Sequence, residues 1–382
     1  MDSSPFNVLP QETIHMIFSH LPIRQIAASK CVCRGFHSAL SSPVFLHLLR
    51  LQSRPLSLLA LKPSHRHVCP HPTLHTFDPD SNRWLRFSLA FLPFSALHPI
   101  TSARGLLYLW AVENTPKNII PQKALVVCNP LTSQFKIVPQ LGSAWSRHGS
   151  VLVGSLNLIV VLTELAVLYY SENGVVPKDG NFSSSNPGKS WLKFSSNLPS
   201  KPRSAVLISD FILTLCDVGT PWRSQWTMFK TKIMVMEKSM QWVRVKKREW
   251  GEIFDLLKRP RLVKSGNDRK VYMVGGLKSS YALQSTCTTI LILRLDLERL
   301  EWEEAGRMPI EMYSCFAESS KFKVFGGGNS VCFSAKRVTR LALWEDKEDG
   351  KTAGWRWVDG VPGNGDGLFR GFIFEGRLDA VP

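Results

Sequence analysis

Motifs for metal binding and secretion are scarce in this sequence. The 382 residues hold eight scattered cysteines without a CxxC pair, and His148 is the only histidine beyond residue 100. The first residues lack the charged-then-apolar pattern of a secretory signal. These features argue against a disulfide-stapled secreted framework and against a CxxC-type zinc site. They predict free thiols in a reducing compartment, with localisation in the cytoplasm, the nucleus or both.

Acidic residues are also in short supply. The chain has 47 Lys and Arg against 30 Asp and Glu, a formal net charge of +17, with an otherwise ordinary soluble composition. Residues 230–270 hold thirteen basic and five acidic residues, a net +8, so nearly half of the excess lies in one stretch. An acidic partner would fit this charge, and nucleic acid is the less favoured partner.

A long apolar run at residues 151–170, VLVGSLNLIVVLTELAVLYY, has the length of a membrane span. Asn157 and Glu164 would both be costly in lipid, and Gly154 and Asn157 interrupt the run. Val, Ile, Leu and Tyr in short pieces are typical of buried strands. We therefore predict strands here and no membrane contact.

Residues 8–49 predict a unit of three short helices. The first has one apolar face from the spacing of Ile14, Ile17, Phe18 and Leu21, and Pro22 ends it. A second is predicted from residue 26 toward 32, and a third around 36–40, ending near the SSP at 41–43. Because so few helical residues bury little surface, this unit is expected to dock on something else.

The segments LPQETIHMIFSHLP and CVCRGFHSALSSPVF resemble the F-box, with a phenylalanine where the family more often has tryptophan. The resemblance implies binding of a Skp-type adaptor by apolar helix faces, and through it attachment to cullin and RING subunits. The residues it implicates are Leu9, Pro10, Ile14, Ile17, Leu21, Pro22, Ile23, Val32, Cys33 and Phe45. Cys31 and Cys33 are interpreted as packed thiols.

The rest of the chain, residues 50–382, carries a repeat of an apolar run, a polar turn and an aromatic residue. The aromatic residues are Trp84, Phe135, Trp191, Trp242, Trp302 and Trp357, at spacings of 51, 56, 51, 60 and 55. Pro-containing loops and further apolar runs fill the gaps, so each repeat predicts four strands, as in a propeller blade. We interpret the six aromatics as residues that pack between blades.

Double glycines follow the strands VYMVGGL and FKVFGGG, and with the repeated tryptophan the sequence resembles plant-type F-box/kelch-repeat proteins. The predicted fold is therefore mainly β, with a three-helix F-box at 1–49 and a kelch-like propeller of six blades at 50–382. The last strand, in LFRGFIFEGR, is expected to join PLSLLAL and the strands up to Trp84 in one blade, which closes the ring.

Two insertions interrupt the repeat. Residues 174–190 are rich in Gly, Ser, Asn and Pro and predict a polar loop. In residues 246–270, Trp250, Ile253, Phe254 and Leu257 have helical spacing and predict a short amphipathic helix with basic flanks. Its KRPR segment is typical of a nuclear import signal, of a site for an acidic partner or of a solvated basic loop.

Basic residues recur just after the Pro-containing loops, at Arg104, Arg147, Arg203, Arg261 and Arg370. Equivalent blade positions would gather them around one end of the ring, where guanidinium groups would favour an acidic or phosphorylated ligand. Pairing with backbone carbonyls is an equally plausible role. Four tryptophans outside the repeat are further candidates for a recognition face: Trp110, Trp145, Trp222 and Trp226.

The resemblance implies a substrate-recognition subunit of a Skp–cullin–F-box ubiquitin ligase, which binds a protein substrate, needs no cofactor and has no catalytic residues. One alternative is an F-box-bearing scaffold or transcriptional co-regulator that acts outside a ligase. A less favoured one is a propeller oxidase with copper, but this chain has only six tyrosines and lacks later histidines to hold the metal.

The tract HRHVCPHPTLH at residues 65–75 concentrates four histidines and one cysteine. These are ligands that zinc and copper prefer. However, Pro70 and Pro72 interrupt the extended chain that would bring the ligands together, and no second cluster completes the shell. We predict an exposed loop before a strand that begins at His75, and no metal site.

Overall fold

Four helices, not three, precede the strands in the computed structural model: α1 (Gln11–Ser19), α2 (Ile23–Ser29), α3 (Arg34–Ser41) and α4 (Pro43–Gln52). The structure describes residues 9–52, 56–62, 72–94, 96–112, 123–141, 150–154, 158–171, 191–233, 240–250, 253–266, 268–279, 287–317, 322–346, 354–363 and 368–382. The predicted 174–190 loop lies outside these residues. α3 ends where the sequence predicted, but Pro43 begins a new helix, because a proline in the first helical position loses no hydrogen bond.

The helices share one apolar core. It consists of Phe18, Ile23, Ile26, Leu40, Phe45 and Leu49, together with Leu378 from the other end of the chain. Leu56 and Leu131 of the β domain also pack against it. A four-helix unit this small buries little surface by itself, so these contacts with the β domain complete its core.

The remaining chain forms six four-stranded antiparallel sheets, the predicted six blades. Blade 1 contains β1 (Leu56–Leu61), β2 (Thr73–Asp78) and β3 (Arg83–Ser88). Blade 2 contains β4 (Ala96–Ala103), β5 (Leu106–Val112), β6 (Lys123–Asn129) and β7 (Gln134–Val138). Blade 3 contains β8 (Ser150–Val153), β9 (Ile159–Leu162), β10 (Ala166–Tyr170) and β11 (Leu192–Ser195).

The later blades follow the same order. Blade 4 contains β12 (Ser204–Ile208), β13 (Phe211–Asp217), β14 (Trp226–Lys232) and β15 (Val243–Val245). Blade 5 contains β16 (Leu257–Lys264), β17 (Lys270–Lys278), β18 (Cys287–Asp296) and β19 (Glu301–Arg307). After α5 (Ile310–Ala317), blade 6 contains β20 (Phe322–Gly327), β21 (Ser330–Ala335), β22 (Leu341–Glu345) and β23 (Gly354–Val358).

The ring closes as the sequence predicted. The last strand, β24 (Gly371–Gly376), is the innermost strand of blade 1 and pairs with β1 from Leu56↔Gly376 to Leu61↔Gly371. The six innermost strands contact one another in the cyclic order β24, β4, β8, β12, β16, β20 and back to β24. Each of the six apolar cores between blades joins two neighbouring sheets, so every blade covers the bare faces of its neighbours.

The long apolar run at 151–170 is confirmed as strands, since most of it lies in β8, β9 and β10. In the part of the chain that the structure describes, no helix has the length and apolar character needed to cross a membrane.

The predicted amphipathic helix within 246–270 is wrong. Two short 3-10 turns, Arg248–Trp250 and Ile253–Asp255, replace it, and the KRPR segment lies in β16, the innermost strand of blade 5. A register shift in this strand between Lys258 and Arg261 accommodates Pro260, which cannot donate to the sheet. The apolar spacing instead serves a cluster in which Trp250 and Phe254 pack edge to face with Trp302.

Candidate functional site

The helices turn several apolar side chains toward solvent. Leu9, Met16, Ile17, Val32 and Val44 form what we call the outer helical face, and Val32 and Val44 are 70% and 69% exposed. With Leu51 of α4, six large apolar side chains of this small unit are exposed, a pattern typical of a surface that a protein partner covers. Met16 and Val44 were missed from the sequence, Val44 because its helix was not predicted.

The residues that the F-box resemblance implicated divide by burial. Leu9, Pro10, Ile17, Pro22, Val32 and Cys33 are exposed, Ile14 and Leu21 are half-buried, and Ile23 and Phe45 are buried. The last two therefore support the helices from inside. Cys31 and Cys33 are exposed rather than packed, because they lie in the connection between α2 and α3. The Cys33 sulfur accepts the backbone N–H of Phe36 at 3.4 Å and so caps α3.

A buried ion pair fixes the helices on blade 1. The Arg24 guanidinium on α2 contacts the Asp78 carboxylate at the end of β2, and the Asp78 side chain is only 3% exposed. The same carboxylate accepts the Ser81 hydroxyl at 2.7 Å and the Asp80 backbone N–H at 3.0 Å. Because these groups hold Asp78 in one position, the outer helical face has a defined direction relative to the ring.

Three of the repeated tryptophans join neighbouring blades through one recurring hydrogen bond. The indole N–H groups of Trp84, Trp191 and Trp242 donate to backbone carbonyls of Asp359, Pro139 and Ser196, at 2.8, 2.7 and 2.5 Å. Each acceptor directly follows the outermost strand of the preceding blade. The repeat therefore reflects a bond across the seam between blades, which only tryptophan among the large apolar side chains can donate.

The other three repeat aromatics do not show this bond. Phe135 has no N–H, is partly exposed and packs near Phe91. Trp302 has a buried indole N–H without an acceptor among the described residues, since the 3-10 turns follow the outermost strand of the preceding blade. Trp357 stacks on Phe316 of α5 and lies under the Arg340 guanidinium.

Three predicted arginines come together at the end of the ring where the innermost strands begin, which we call the strand-start face. Arg203 precedes β12, Arg261 lies in β16 and Arg370 precedes β24. Arg261 donates to the Arg203 carbonyl at 2.6 Å, and Ser204 exchanges hydrogen bonds with Leu262, so β12 and β16 are level.

Arg104 does not join this group. It follows the end of β4, and the neighbouring Gly105 lies close to Arg377 and Ala380, which follow the end of β24, so the two strands end at the same face. Arg104 therefore lies at the opposite end, the strand-end face, where the helices also pack. The prediction that all five arginines gather at one end is wrong for Arg104, and Arg147 lies outside the described residues.

Burial and neighbouring cations shape the chemistry of the strand-start face. Burial, followed by the charges of Arg203, Arg259 and Arg370, lowers the pKa of Arg261 to about 10. Burial and Arg370 lower the pKa of Lys62 to about 8. Lys62 is held here because its backbone N–H donates to the Arg370 carbonyl at 2.8 Å. The protein thus concentrates like charges at this face, at a cost to the charged forms of Arg261 and Lys62.

One tryptophan outside the repeat also lies at this face. Trp222, in the connection between β13 and β14, is 89% exposed, whereas Trp110 and Trp226 are buried in blade cores. Trp145 lies outside the described residues. An exposed tryptophan on the same face as a group of cations is a feature of recognition surfaces.

Most of the His-rich tract at 65–75 lies outside the described residues. His75 does not begin a strand but is the third residue of β2, half-buried and opposite Arg86, and burial followed by that cation lowers the pKa of its imidazole. Among the residues described, no three His, Cys, Asp or Glu side chains are grouped so as to hold a metal ion.

A helical unit with an outward apolar face, mounted on a closed six-bladed propeller, defines the class of F-box proteins with a propeller domain. The F-box-like family pattern matches residues 6–50. The chain is 52% identical to SKP1-interacting partner 15 of Arabidopsis thaliana over the full length of both proteins. It is 24% identical to Protein UNUSUAL FLORAL ORGANS of the same plant, over 96% of this chain and 81% of that one.

The chain therefore belongs to the F-box protein family. A further relative, F-box protein DOR of Arabidopsis thaliana, is 30% identical over 35% of this chain and 36% of that protein. The family pattern covers the helices, and the propeller is seen directly in the sheet order. That its blades are of the kelch type stays a prediction.

Proposed function

We propose that this protein is the substrate-recognition subunit of a Skp–cullin–F-box ubiquitin ligase and catalyses no reaction itself. The observation that carries the proposal is the outer helical face, whose apolar side chains are exposed to solvent. A Skp-type adaptor would cover this face and link the chain to cullin and RING subunits. The name of its relative, SKP1-interacting partner 15, supports the choice of adaptor.

The propeller would contribute proximity rather than chemistry. A substrate held on the ring would be kept at a high local concentration near the charged conjugating enzyme, so that its lysines are modified efficiently. The buried Arg24–Asp78 pair and the shared core around Leu378 support this role, because they keep the adaptor-facing and substrate-facing surfaces in a constant relation.

The test is capture of a purified Skp adaptor by the full chain. Replacing Ile17 and Val32 by aspartate places charges on the outer helical face without touching the helical core, since both side chains are exposed. We expect capture to fall at least about tenfold, as for loss of buried apolar contacts at an interface. Leu165→Asp, at an exposed leucine on blade 3, is the matched control and should leave capture unchanged.

A scaffold that acts outside a ligase is the alternative, and the Ile17→Asp/Val32→Asp variant separates the two in cells. A receptor variant that cannot reach the adaptor should accumulate its bound substrate, whereas a scaffold should leave substrate levels as they were. The point variant is preferable to deletion of residues 1–49, since deletion would strip the core around Leu378. Capture of the adaptor by the double variant at the level of the unmodified chain would refute the interface.

Residence in the cytoplasm, the nucleus or both is part of the same proposal. Lys258 and Arg259 of the KRPR segment are exposed although the segment lies in β16. If they direct nuclear import, changing both to alanine should exclude a fluorescently tagged chain from nuclei. An unchanged distribution would remove import through this segment from the proposal.

A further inference from the structure

The outermost strand of blade 4 begins the densest run of basic residues found on the six outermost strands. Residues 243–248, VRVKKR, hold four cations in six positions. None of the four forms an ion pair with a carboxylate among the described residues, whereas Lys232 of the adjacent strand β14 pairs with Asp210. The four cations are Arg244, Lys246, Lys247 and Arg248.

The groups around this run leave its positive charge in place. Arg244 and Lys247 make hydrogen bonds of 3.5 Å to a neutral hydroxyl and to a backbone carbonyl. Glu249 is the only acidic residue between positions 240 and 250. Arg244, Lys246 and Arg248 are exposed, so an anionic partner can reach them.

The run starts on a sheet edge, which we call the β15 edge and define as residues 243–248. β15 pairs with β14 on one side, and no other strand of the described residues lies on its outer side. Val243 at its start is 67% exposed, and Arg244 is exposed beside it. An edge of this kind has backbone N–H and C=O groups that can pair with one more strand.

Positive charge lies on both faces of the sheet at this edge. Trp242 donates its indole N–H to a carbonyl of blade 3, so Arg244, two residues further along, lies on the face toward blade 3. Val245 packs in the core shared with blade 5, so Val243 lies on that opposite face, across from Lys230 of β14. A strand added at the β15 edge would therefore meet a cation on either face.

We infer that the β15 edge binds an acidic segment of a protein partner, which adds to blade 4 as a fifth strand. The edge supplies backbone hydrogen bonds, and carboxylates of the segment lie beside Arg244 and Lys246, as opposite charges do in cross-strand pairs. Val243 supplies an apolar contact between the charges. The inference is independent of the proposed function, because the helices pack on blades 1 and 2, through Leu56 and Leu131, and not on blade 4.

Two other occupants fit this edge less well. Pairing of two β15 edges from two copies of the chain would bring like charges together. The acidic outermost strand of blade 5 is already neutralised, because Glu303 pairs with Arg294 and Glu304 with Arg307. Nucleic acid could use the positive charge, but it has no strand to pair with the backbone of the edge and no apolar group suited to Val243.

The experiment measures binding of short fluorescent peptides to the full chain by fluorescence polarisation. One peptide alternates glutamate and threonine, and a matched peptide alternates glutamine and threonine. We expect the acidic peptide to bind at least about tenfold more tightly, because several opposite-charge cross-strand pairs form, and its affinity should weaken as salt is raised. Arg244→Gln with Lys246→Gln should reduce the affinity for the acidic peptide to that for the glutamine peptide. Both side chains are exposed, so folding should be unaffected.

Arg83→Gln with Arg86→Gln is the matched control on the outermost strand of blade 1. Both arginines are exposed, but Arg83 lies across from Asp78 and the two are three residues apart, so they do not line one face of a strand. This control should bind the acidic peptide as tightly as the unmodified chain. A loss equal to that of the Arg244→Gln/Lys246→Gln variant would show attraction by net charge alone and would overturn the inference.

Backbone methylation of the acidic peptide tests strand addition on the unmodified chain. Two versions carry N-methyl groups at either the odd or the even positions, which keeps the charge but blocks the amide donors on one side of the peptide. At least one version should bind no more tightly than the glutamine peptide, because a fifth strand must donate to the edge. Full affinity of both versions would overturn the inference.

Three further results would also overturn it. They are equal affinity for the two unmethylated peptides, tighter binding of single-stranded RNA than of the acidic peptide, and self-association that the Arg244→Gln/Lys246→Gln variant abolishes. Adaptor capture separates the inference from the proposed function, since this variant should capture the adaptor as well as the unmodified chain does. The Ile17→Asp/Val32→Asp variant should lose the adaptor and still bind the acidic peptide.

Discussion

The two ends of the propeller differ in how their charged side chains are paired. At the strand-end face, basic side chains meet carboxylates of the same chain: Arg24 with Asp78, Lys232 with Asp210, Lys264 with Asp268, Arg269 with Glu298 and Arg294 with Asp346. At the strand-start face, Arg203, Arg261 and Arg370 lie close to one another and form no ion pair within the described residues, although Arg307 pairs with Glu304 at the outermost strand of blade 5.

This difference between the two ends bears on the stability of the ring. Paired charges at the strand-end face hold the turns and the helices in place, and Asp78 connects the two directly. Burial, followed by neighbouring cations, lowers the pKa values of Arg261 and Lys62, so the charged forms of these two groups oppose folding.

The strongest test of the comparison is Asp78→Ala at the strand-end face. The change leaves Arg24 without its charged partner and removes the acceptor of Ser81 and of the Asp80 backbone N–H. Because Asp78 is buried and Arg24 is about one-third exposed, we expect a loss of about 2–3 kcal/mol in the free energy of unfolding. Urea unfolding monitored by tryptophan fluorescence measures it.

Asp210→Ala at the same face is the matched control. Its pair with Lys232 is about half exposed on both sides, so its loss should change stability by less than about 1 kcal/mol. Equal losses in the two variants would show that the Arg24–Asp78 pair does not fix the helices. The contrast between the strand-end face and the strand-start face would then lose its main support.

A medium effect is expected at the seams, which keep the two faces rigid relative to each other. Trp242→Phe removes the N–H that reaches the buried Ser196 carbonyl and should cost about 1–2 kcal/mol beyond the lost ring area. Trp302→Phe removes the same atoms, but its N–H has no acceptor among the described residues, so that extra cost should be absent. Thermal unfolding of the two variants compares them, and an equal loss would contradict the role given to the seam bond.

Much of the fold could be predicted from the sequence, because the patterns that indicate it are local or periodic. The aromatic spacing counted six blades because each aromatic residue lies in, or directly before, the outermost strand of its blade. The apolar character of LFRGFIFEGR predicted the closing strand. The fourth helix was not predicted, because proline occurs both just after helix ends and in the first turn of helices. Only the structure shows that Pro43 begins a helix. In residues 246–270, helical spacing of apolar residues also fits two 3-10 turns leading into a strand.

The candidate site could be predicted only in part, because its position depends on which end of a strand each residue adjoins. Arg104 and Arg203 both follow Pro-containing loops in the sequence, yet one comes after its innermost strand and the other before it. Strand boundaries decide this, because β4 ends at Ala103, directly before Arg104, whereas β12 begins at Ser204, directly after Arg203. Arg259 was not singled out, since its exposure comes from an irregularity in β16.

The smallest expected effect is a gain in stability at the strand-start face. Burial and Arg370 lower the pKa of Lys62 from 10.5 to about 8, so the folded state disfavours its charge. Near pH 7 the lysine is charged in both states and opposes folding, and above pH 10.5 it is neutral in both. Stability of the unmodified chain should therefore rise as the pH goes from about 8 to 10.5.

Lys62→Met keeps an apolar side chain of similar length and removes the charge, together with the contact between the Lys62 ammonium and the Phe372 ring. It should raise the free energy of unfolding by on the order of 1 kcal/mol near pH 7, and the gain should shrink as the pH approaches 10.5. Lys232→Met, at the paired strand-end face, should give no gain at any pH. Denaturant titrations across this pH range provide the measurement. If Lys62→Met destabilises the protein near neutral pH, the charge of Lys62 is already stabilised by other groups of the free protein. The two faces would then not differ as described.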